Sequence, residues 1–118
     1  MWGRRTETES LEHGILYPER AKPSYATIVA LHGRGADAAD LLPIVRFLGL
    51  DDVLVIAPRA PLPLNLGMVQ GYAWYEMNQV GMPHAKTFHQ SLEILRKFVA
   101  DIKQGYPVDP QRLILLGF

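Results

Sequence analysis

Cysteine is absent from the 118-residue sequence, which excludes disulfide bonds, thiolate nucleophiles and cysteine metal ligands. The chain also has no excess of either charge, because 12 Lys and Arg residues balance 12 Asp and Glu residues. A neutral chain does not create the positive field that attracts nucleic acid or an anionic membrane, so we expect neither partner. No apolar run approaches the roughly 20 residues that span a bilayer, and we expect no membrane span.

The first ten residues also lack the apolar core of a signal peptide. We interpret residues 1–10 as a frayed polar tail and residues 11–118 as part of one domain, since the length suffices for one modest domain and not for two. Together with the lack of cysteine, this favours a cytoplasmic location.

Three runs are apolar nearly throughout, which is typical of strands buried on both faces: residues 25–31, 53–57 and 112–116. Residues 11–17 are predicted to form an edge strand, bounded by prolines. Residues 59–86 have no clear period, and a loop of that length inside a compact domain is usually functional.

Helical spacing of apolar residues predicts a helix over residues 40–48, with Asp40 as its N-cap and Gly49 as its stop. A capping-box pattern at Thr87 and Gln90 predicts the start of a second, longer helix. Strands that alternate with helices predict an α/β fold with a mostly parallel sheet and helices on both faces.

A glycine-rich turn, Leu-His-Gly-Arg-Gly-Ala at residues 31–36, follows the first buried strand directly. Glycines allow positive φ and close approach of a ligand to the backbone, and N–H groups at a helix start favour negative charge. A phosphate site would use such a turn, although the run matches neither the dinucleotide-binding fingerprint nor the P-loop. An α/β binding module that holds an anionic ligand at Gly33–Gly35 is therefore one hypothesis.

A second hypothesis comes from four stretches that stand in one order with matching spacing. They are the L-H-G-R-G turn within 31–40, the strand and proline-rich exit at 55–61, Leu64-Asn65 with Ala-Trp-Tyr-Glu at 73–76, and the strand at 108–118. In these stretches the chain resembles the phospholipase/carboxylesterase family of α/β-hydrolases, which includes acyl-protein thioesterases.

The resemblance implies the N-terminal half of an α/β-hydrolase fold and a serine carboxylesterase, phospholipase or thioesterase activity. It also implies a small acyl-ester or thioester substrate and no cofactor or metal. The nucleophile of such enzymes sits in G-x-S-x-G, and Gly117 and Phe118 match the first two positions. The serine, the acid and the histidine of the triad would then follow residue 118, so we expect this chain to be inactive alone.

The resemblance further implies that the backbone N–H of Arg34 is one donor of the oxyanion hole, in a loop shaped by Gly33 and Gly35. His32 is expected to brace this turn and not to act as a base. The Arg34 side chain either binds a substrate anion or lies solvated, since a guanidinium suits both. An apolar acyl pocket would be lined by three residues, Leu64, Met68 and Trp74.

A third hypothesis is a non-enzymatic chain that only pairs with a partner. The apolar side chains of residues 113–116 are predicted to lack part of their cover, because the sequence provides no helix beyond this strand. Such an exposed sheet edge predicts self-association.

Overall fold

A computed structural model of the protein describes residues 2–3 and 11–118. The elements in chain order are β1 (Trp2–Gly3), β2 (His13–Leu16), β3 (Tyr25–Leu31), a 3-10 helix (Ala38–Asp40), α1 (Leu41–Phe47), β4 (Leu54–Pro58), β5 (Leu62–Leu66), β6 (Val69–Ala73), α2 (Ala85–Gly105) and β7 (Val108–Gly117).

Five strands form one sheet in the order β1-β2-β4-β3-β7, and β5 pairs with β6 in a separate antiparallel hairpin. β4, β3 and β7 run parallel, whereas β2 is antiparallel to both β1 and β4. Ile28 of β3 lies opposite Val55 of β4 and Ile114 of β7. The carboxyl ends of the three parallel strands therefore meet at one edge of the sheet.

Successive residues of β3 and β4 point to opposite faces of the sheet, as strand geometry requires. One face packs against α2, through a cluster that includes Val29, Leu54, Ile56, Phe98 and Ile102. The other face packs against α1, through a cluster that includes Ile28, Val55, Ala57, Leu41 and Val45. The predicted α/β architecture with helices on both faces is confirmed.

β2 is not an edge strand, and that prediction was wrong. Trp2 and Gly3 pair with Gly14 and His13, so β1 occupies the side that the prediction left open. The run of residues 11–17 contains no signal for this neighbour, since the pairing joins segments about ten residues apart. The rest of the predicted polar tail, Met1 and residues 4–10, lies outside the described residues.

Asp37, and not Asp40, provides the side-chain cap at the start of the first helical segment. The Asp37 carboxylate accepts from the Ala38 N–H, and the Asp40 carboxylate accepts in turn from the Asp37 N–H. Asp40 precedes α1 without a capping side-chain bond, because its carboxylate is turned back to Asp37. Gly49 follows this helix with φ of +68°, as predicted for a helix stop.

The capping box predicted at Thr87 and Gln90 was also wrong, because α2 begins earlier, at Ala85. The Thr87 hydroxyl lies inside the first turn, where it donates to the His84 carbonyl and accepts from the Glu76 N–H. Thr87 therefore ties the helix to the preceding segment.

The aperiodic stretch 59–86 contains the β5–β6 hairpin, which the sequence did not predict. Its two-residue turn, Gly67-Met68, has positive φ only at Gly67, the pattern of a type II′ turn. Pro63 is a residue that strands disfavour, so the sequence did not indicate a strand here. A two-stranded hairpin tolerates this proline, because a strand with one free edge does not need every N–H group.

β7 is longer than predicted and is not a buried strand. It pairs with β3, and Ile114 and Leu115 are 60% and 55% exposed. The apolar run is typical of a strand buried on both faces, but only β3 lies beside it among the described residues, so its side chains lack part of their cover, as predicted.

Candidate functional site

Residues 32–37 form a loop that connects the carboxyl end of β3 to the 3-10 helix. Ligands of open α/β sheets bind at the carboxyl ends of the strands, so this loop occupies the expected place for a site. The β5–β6 hairpin and the end of β7 approach it from two sides, as the contacts below show.

His32 is 2% exposed, and both of its ring nitrogens are engaged. Nε2 lies 3.0 Å from the backbone nitrogen of Ala60, whose N–H must donate, so Nε2 carries no proton. The proton is then on Nδ1, which donates to the Gly33 carbonyl at 2.8 Å. The His32 carbonyl accepts from the indole N–H of Trp74 at 2.8 Å. His32 is thus a neutral, fully hydrogen-bonded side chain.

The hairpin pairs with the middle of the loop through Tyr72. The Gly35 N–H donates to the Tyr72 carbonyl, and the Tyr72 N–H donates to the Ala36 carbonyl, both at 2.9 Å. Gly35 has φ of +84°, a conformation that side chains disfavour. Gly33 does not share this conformation, so the expectation of positive φ holds for Gly35 alone.

Gly71 is a residue of this site that the sequence analysis missed. A Cβ at Gly71 would lie 1.9 Å from the Gly35 carbonyl oxygen, so only glycine allows the two backbones to approach this closely. A glycine inside a strand is the usual signal of such an approach, but the strand itself was not recognised.

The backbone N–H of Arg34 has no hydrogen-bond acceptor among the described residues. The side chain is exposed and donates through Nη1 to the Tyr75 carbonyl at 2.7 Å. The guanidinium is therefore bound to the protein surface, and the unpaired backbone N–H remains available to an outside acceptor.

The end of β7 lies directly against this loop. The Phe118 N–H donates to the Leu31 carbonyl at 3.0 Å, and a Cβ at Gly33 would lie 3.1 Å from the Phe118 carbonyl oxygen. A Cβ at that distance would be tighter than ordinary van der Waals contact, so the absence of a side chain at Gly33 eases the approach of Gly117 and Phe118 to the residue that precedes Arg34.

An ion cluster closes the far end of the loop. Arg59 donates through Nε to Asp37 Oδ1 at 3.0 Å, through Nη2 to Asp37 Oδ2 at 2.8 Å, and through Nη1 to Glu12 at 2.7 Å. Burial opposes ionisation of Asp37, but the hydrogen bonds from Arg59 and from the Ala38 N–H outweigh it and lower the pKa of the Asp37 carboxyl. The same hydrogen bond raises the pKa of Arg59.

Two open cavities flank the loop. Trp74 lines the first, of about 310 Å³, together with His32 and Phe118. Leu64 lines the second, of about 420 Å³, together with Arg34 and Tyr75. Met68 lies in the hairpin turn with a fully exposed side chain, so the structure brings Leu64 and Trp74 to the loop but not Met68.

In residues 2–3 and 11–118, no group of three or more His, Asp or Glu side chains is arranged to hold a metal ion. Neither helix in the same part of the chain has a stretch long and apolar enough to cross a membrane.

Comparison with known proteins finds a thioesterase and several esterases among the relatives of this chain. The chain is 28% identical over 116 residues to acyl-protein thioesterase 1 of Candida albicans, a match that covers 88% of this chain and 50% of the relative. Its fold is similar to that of a carboxylesterase from Mesorhizobium loti, with a TM-score of 0.81, 17% identity and coverage of 99% of this chain and 52% of that one. The crystal structure of esterase PE8 matches with a TM-score of 0.77 and 25% identity, over 92% of this chain and 52% of that one.

The chain therefore spans about half the length of these relatives. A family model described as Phospholipase/Carboxylesterase matches residues 17–118, which is most of the sequence. This chain belongs to the phospholipase/carboxylesterase family of hydrolases.

Proposed function

We propose that this chain provides the oxyanion-binding half of a serine carboxylesterase, phospholipase or thioesterase site. One contact carries the proposal. Phe118, which matches the position before the serine of G-x-S-x-G, touches Gly33, and Gly33 precedes the unpaired N–H of Arg34. A serine in the next position would start beside this donor, where the oxygen of a tetrahedral intermediate needs it.

In such a reaction the serine oxygen attacks the acyl carbon of the ester or thioester, and the carbonyl oxygen becomes negatively charged. The Arg34 N–H would stabilise this charge together with a second N–H, from the residue after the serine. The donor is fixed before the substrate arrives, because the flanking Gly35 is hydrogen-bonded to Tyr72. A donor that does not reorganise contributes most to the transition state.

His32 has a structural role in this proposal. A general base must accept a proton, but the unprotonated nitrogen of His32, Nε2, already accepts a hydrogen bond from the Ala60 N–H. The ring instead braces the start of the donor loop. The base and its acidic partner would come from a part of the protein that follows residue 118.

Leu64 and Trp74 would line the acyl side of the site, because each contributes to a cavity that borders the loop. Met68 would join them only if the hairpin turn bends toward the substrate, since its side chain is fully exposed. The substrate is a small acyl ester or thioester, in keeping with the family description Phospholipase/Carboxylesterase and with a relative named acyl-protein thioesterase.

A fluorophosphonate probe and a short-chain nitrophenyl ester test the proposal. We compare the 118-residue chain with an extended polypeptide, which carries this chain and the complete triad. The probe should label only the extended polypeptide, at the serine that follows Phe118, and only this polypeptide should hydrolyse the ester. Covalent labelling of the 118-residue chain, or an extended polypeptide that neither reacts nor hydrolyses, contradicts the proposal.

A further inference from the structure

The loop 32–37 is held at both ends by two consecutive residues. The Ala60 N–H donates to the ring of His32 at the start of the loop, and the Arg59 side chain binds Asp37 at its end. Both residues directly follow β4, a strand whose five residues are all buried. The loop is therefore attached at its two ends to the same rigid element.

The middle of the loop is held by the hairpin, and Arg59 contacts this support as well. The Arg59 guanidinium carbon lies 4.4 Å from the centre of the Tyr72 ring, within the range of a cation–π contact. The Tyr72 backbone pairs with Gly35 and Ala36, the two residues that follow Arg34. One guanidinium thus connects Asp37 to the segment that pairs with the loop.

A third contact fixes the guanidinium itself. Glu12 accepts from Nη1 at 2.7 Å, and the Glu12 carbonyl accepts from the Arg59 backbone N–H at 2.8 Å. Arg59 is therefore bound on two edges by carboxylates and on one face by an aromatic ring. A lysine would reproduce the charge but neither the two-point bond to Asp37 nor the stacking, because its ammonium is a single point.

We propose that Arg59 is a positioning residue for the Arg34 N–H donor, an inference that rests on the proposed function. Arg59 does not reach the reacting atoms. It holds Asp37 and Tyr72 in fixed places, and these fix the direction in which the Arg34 N–H points. Weakening this attachment should lower turnover more than substrate binding, because the oxyanion forms only as the reaction proceeds.

Arg59→Lys and Arg59→Gln test the proposal in the extended polypeptide, with Arg112→Lys as the matched control. Arg112 donates to Asp109 at 2.8 Å near the start of β7, at the opposite end of the sheet from the loop. Circular dichroism and thermal melting establish that each variant is folded. Backbone amide exchange at Gly35 and Tyr72 reports the attachment of the loop, and kcat and KM for the nitrophenyl ester report its consequence.

We expect amide exchange at Gly35 and Tyr72 to become about 5- to 30-fold faster in Arg59→Lys, the effect of losing one or two kcal/mol of local stability. We expect kcat to fall by roughly 10- to 100-fold while KM changes little, because a small misplacement of a catalytic group has effects of this size. Arg59→Gln should behave similarly, and Arg112→Lys should match the wild type.

Unchanged amide exchange in a folded Arg59→Lys variant overturns the attachment. Faster exchange with unchanged kcat overturns the effect on the donor. Both results differ from failure of the proposed function, in which the wild-type extended polypeptide itself neither reacts with the probe nor hydrolyses the ester. In that case the exchange rates still decide whether Arg59 holds the loop.

Discussion

Two glycines at the site contribute through the space they leave for a neighbouring backbone, and not through positive φ. Gly33 and Gly71 both have ordinary φ, yet each faces a carbonyl oxygen from another segment. For Gly33 the neighbour is Phe118, and for Gly71 it is Gly35. The absence of a side chain at these positions helps three segments to meet at the loop 32–37.

Gly33→Val should abolish most activity of the extended polypeptide while leaving the fold largely intact. A Cβ at this position already lies 3.1 Å from the Phe118 oxygen, and the two methyl groups of valine would push the loop away from the end of β7. Loss of one oxyanion donor costs about 2.7–4 kcal/mol of transition-state stabilisation, roughly a 100- to 1000-fold loss in kcat. The rate of ester hydrolysis measures this loss in kcat. Turnover within a few-fold of wild type would show that Gly33 does not shape the donor.

Gly71→Ala should separate the hairpin from the loop. Its Cβ would lie 1.9 Å from the Gly35 oxygen, so one backbone must move and the two bonds between Tyr72 and the loop must weaken. We expect a loss of about 1–3 kcal/mol in the free energy of unfolding, the usual cost of forcing extra volume into a packed position. Chemical denaturation measures this loss.

Gly105→Ala is the control for Gly71→Ala, because nothing lies within 4 Å of the Cβ it would add. It should leave the unfolding free energy of the protein unchanged or raise it by up to about 1 kcal/mol, because alanine loses less conformational entropy on folding than glycine. Equal effects of the two substitutions would mean that Gly71 is not needed for close approach.

At the scale of the element, the short 3-10 helix is fixed by its charges. The Asp37 carboxylate caps the helix and also binds Arg59, so the start of the helix and the end of β4 share one ionised group. These contacts make ionised Asp37 part of the folded structure.

Acidification should therefore weaken this element. The pKa of Asp37 is lower in the folded protein than in the unfolded chain, so the unfolded chain binds more protons as the pH falls. The contribution of Asp37 to stability is present above the ordinary carboxyl range, near pH 4, and is lost as the pH falls through the lowered pKa. Chemical denaturation at several values between about pH 3 and pH 7 measures this change in the free energy of unfolding.

Asp37→Asn should lower stability at neutral pH and flatten the dependence of stability on acid pH. Asp51→Asn serves as the control, because Asp51 is exposed and forms no ion pair within the described part of the chain. If the acid dependence of Asp37→Asn matches that of the wild type, the carboxylate of Asp37 does not contribute as described.

At the scale of the whole molecule, β7 forms one side of the sheet. Six of its ten residues pair with β3, and the described residues contain no strand on its other side. Ile114, Leu115 and Phe118 are each more than half exposed. A long apolar edge with free N–H and C=O groups favours pairing with another chain.

We expect the 118-residue chain to associate through β7, and Ile114→Lys to reduce this association, because a charge on an edge strand opposes pairing. Phe47→Lys is the control. Phe47 is 92% exposed on α1, so its replacement removes apolar surface away from the sheet edge. Size-exclusion chromatography measures the association of the wild-type chain and of the two variants. A monodisperse wild-type monomer, or an equal effect of the two substitutions, contradicts a role for the edge.

The sequence by itself determined the elements whose signal is local. The continuous apolar runs of β3 and β4 predicted buried strands, and the helical spacing of apolar residues over 40–48 predicted the helix α1, because each pattern follows the geometry of its own structure. Gly49 marked a helix end for the same local reason. The ordered motifs also identified the family, as the family comparison shows, whereas the donor role of the loop 32–37 stays a prediction.

Tertiary structure alone decided which segments support that loop. Arg59 binds Asp37 and Glu12, which are separated from it by 22 and 47 positions in the sequence. No periodic pattern specifies partners at such separations. The hairpin is short and contains proline, so its strands become recognisable only where Tyr72 pairs with Gly35 and Ala36. β7 is exposed although its residues are apolar, because burial of a strand requires neighbouring elements that cover it. Local sequence sets the conformation of a segment, whereas pairing depends on the register between distant segments, which only the folded chain defines.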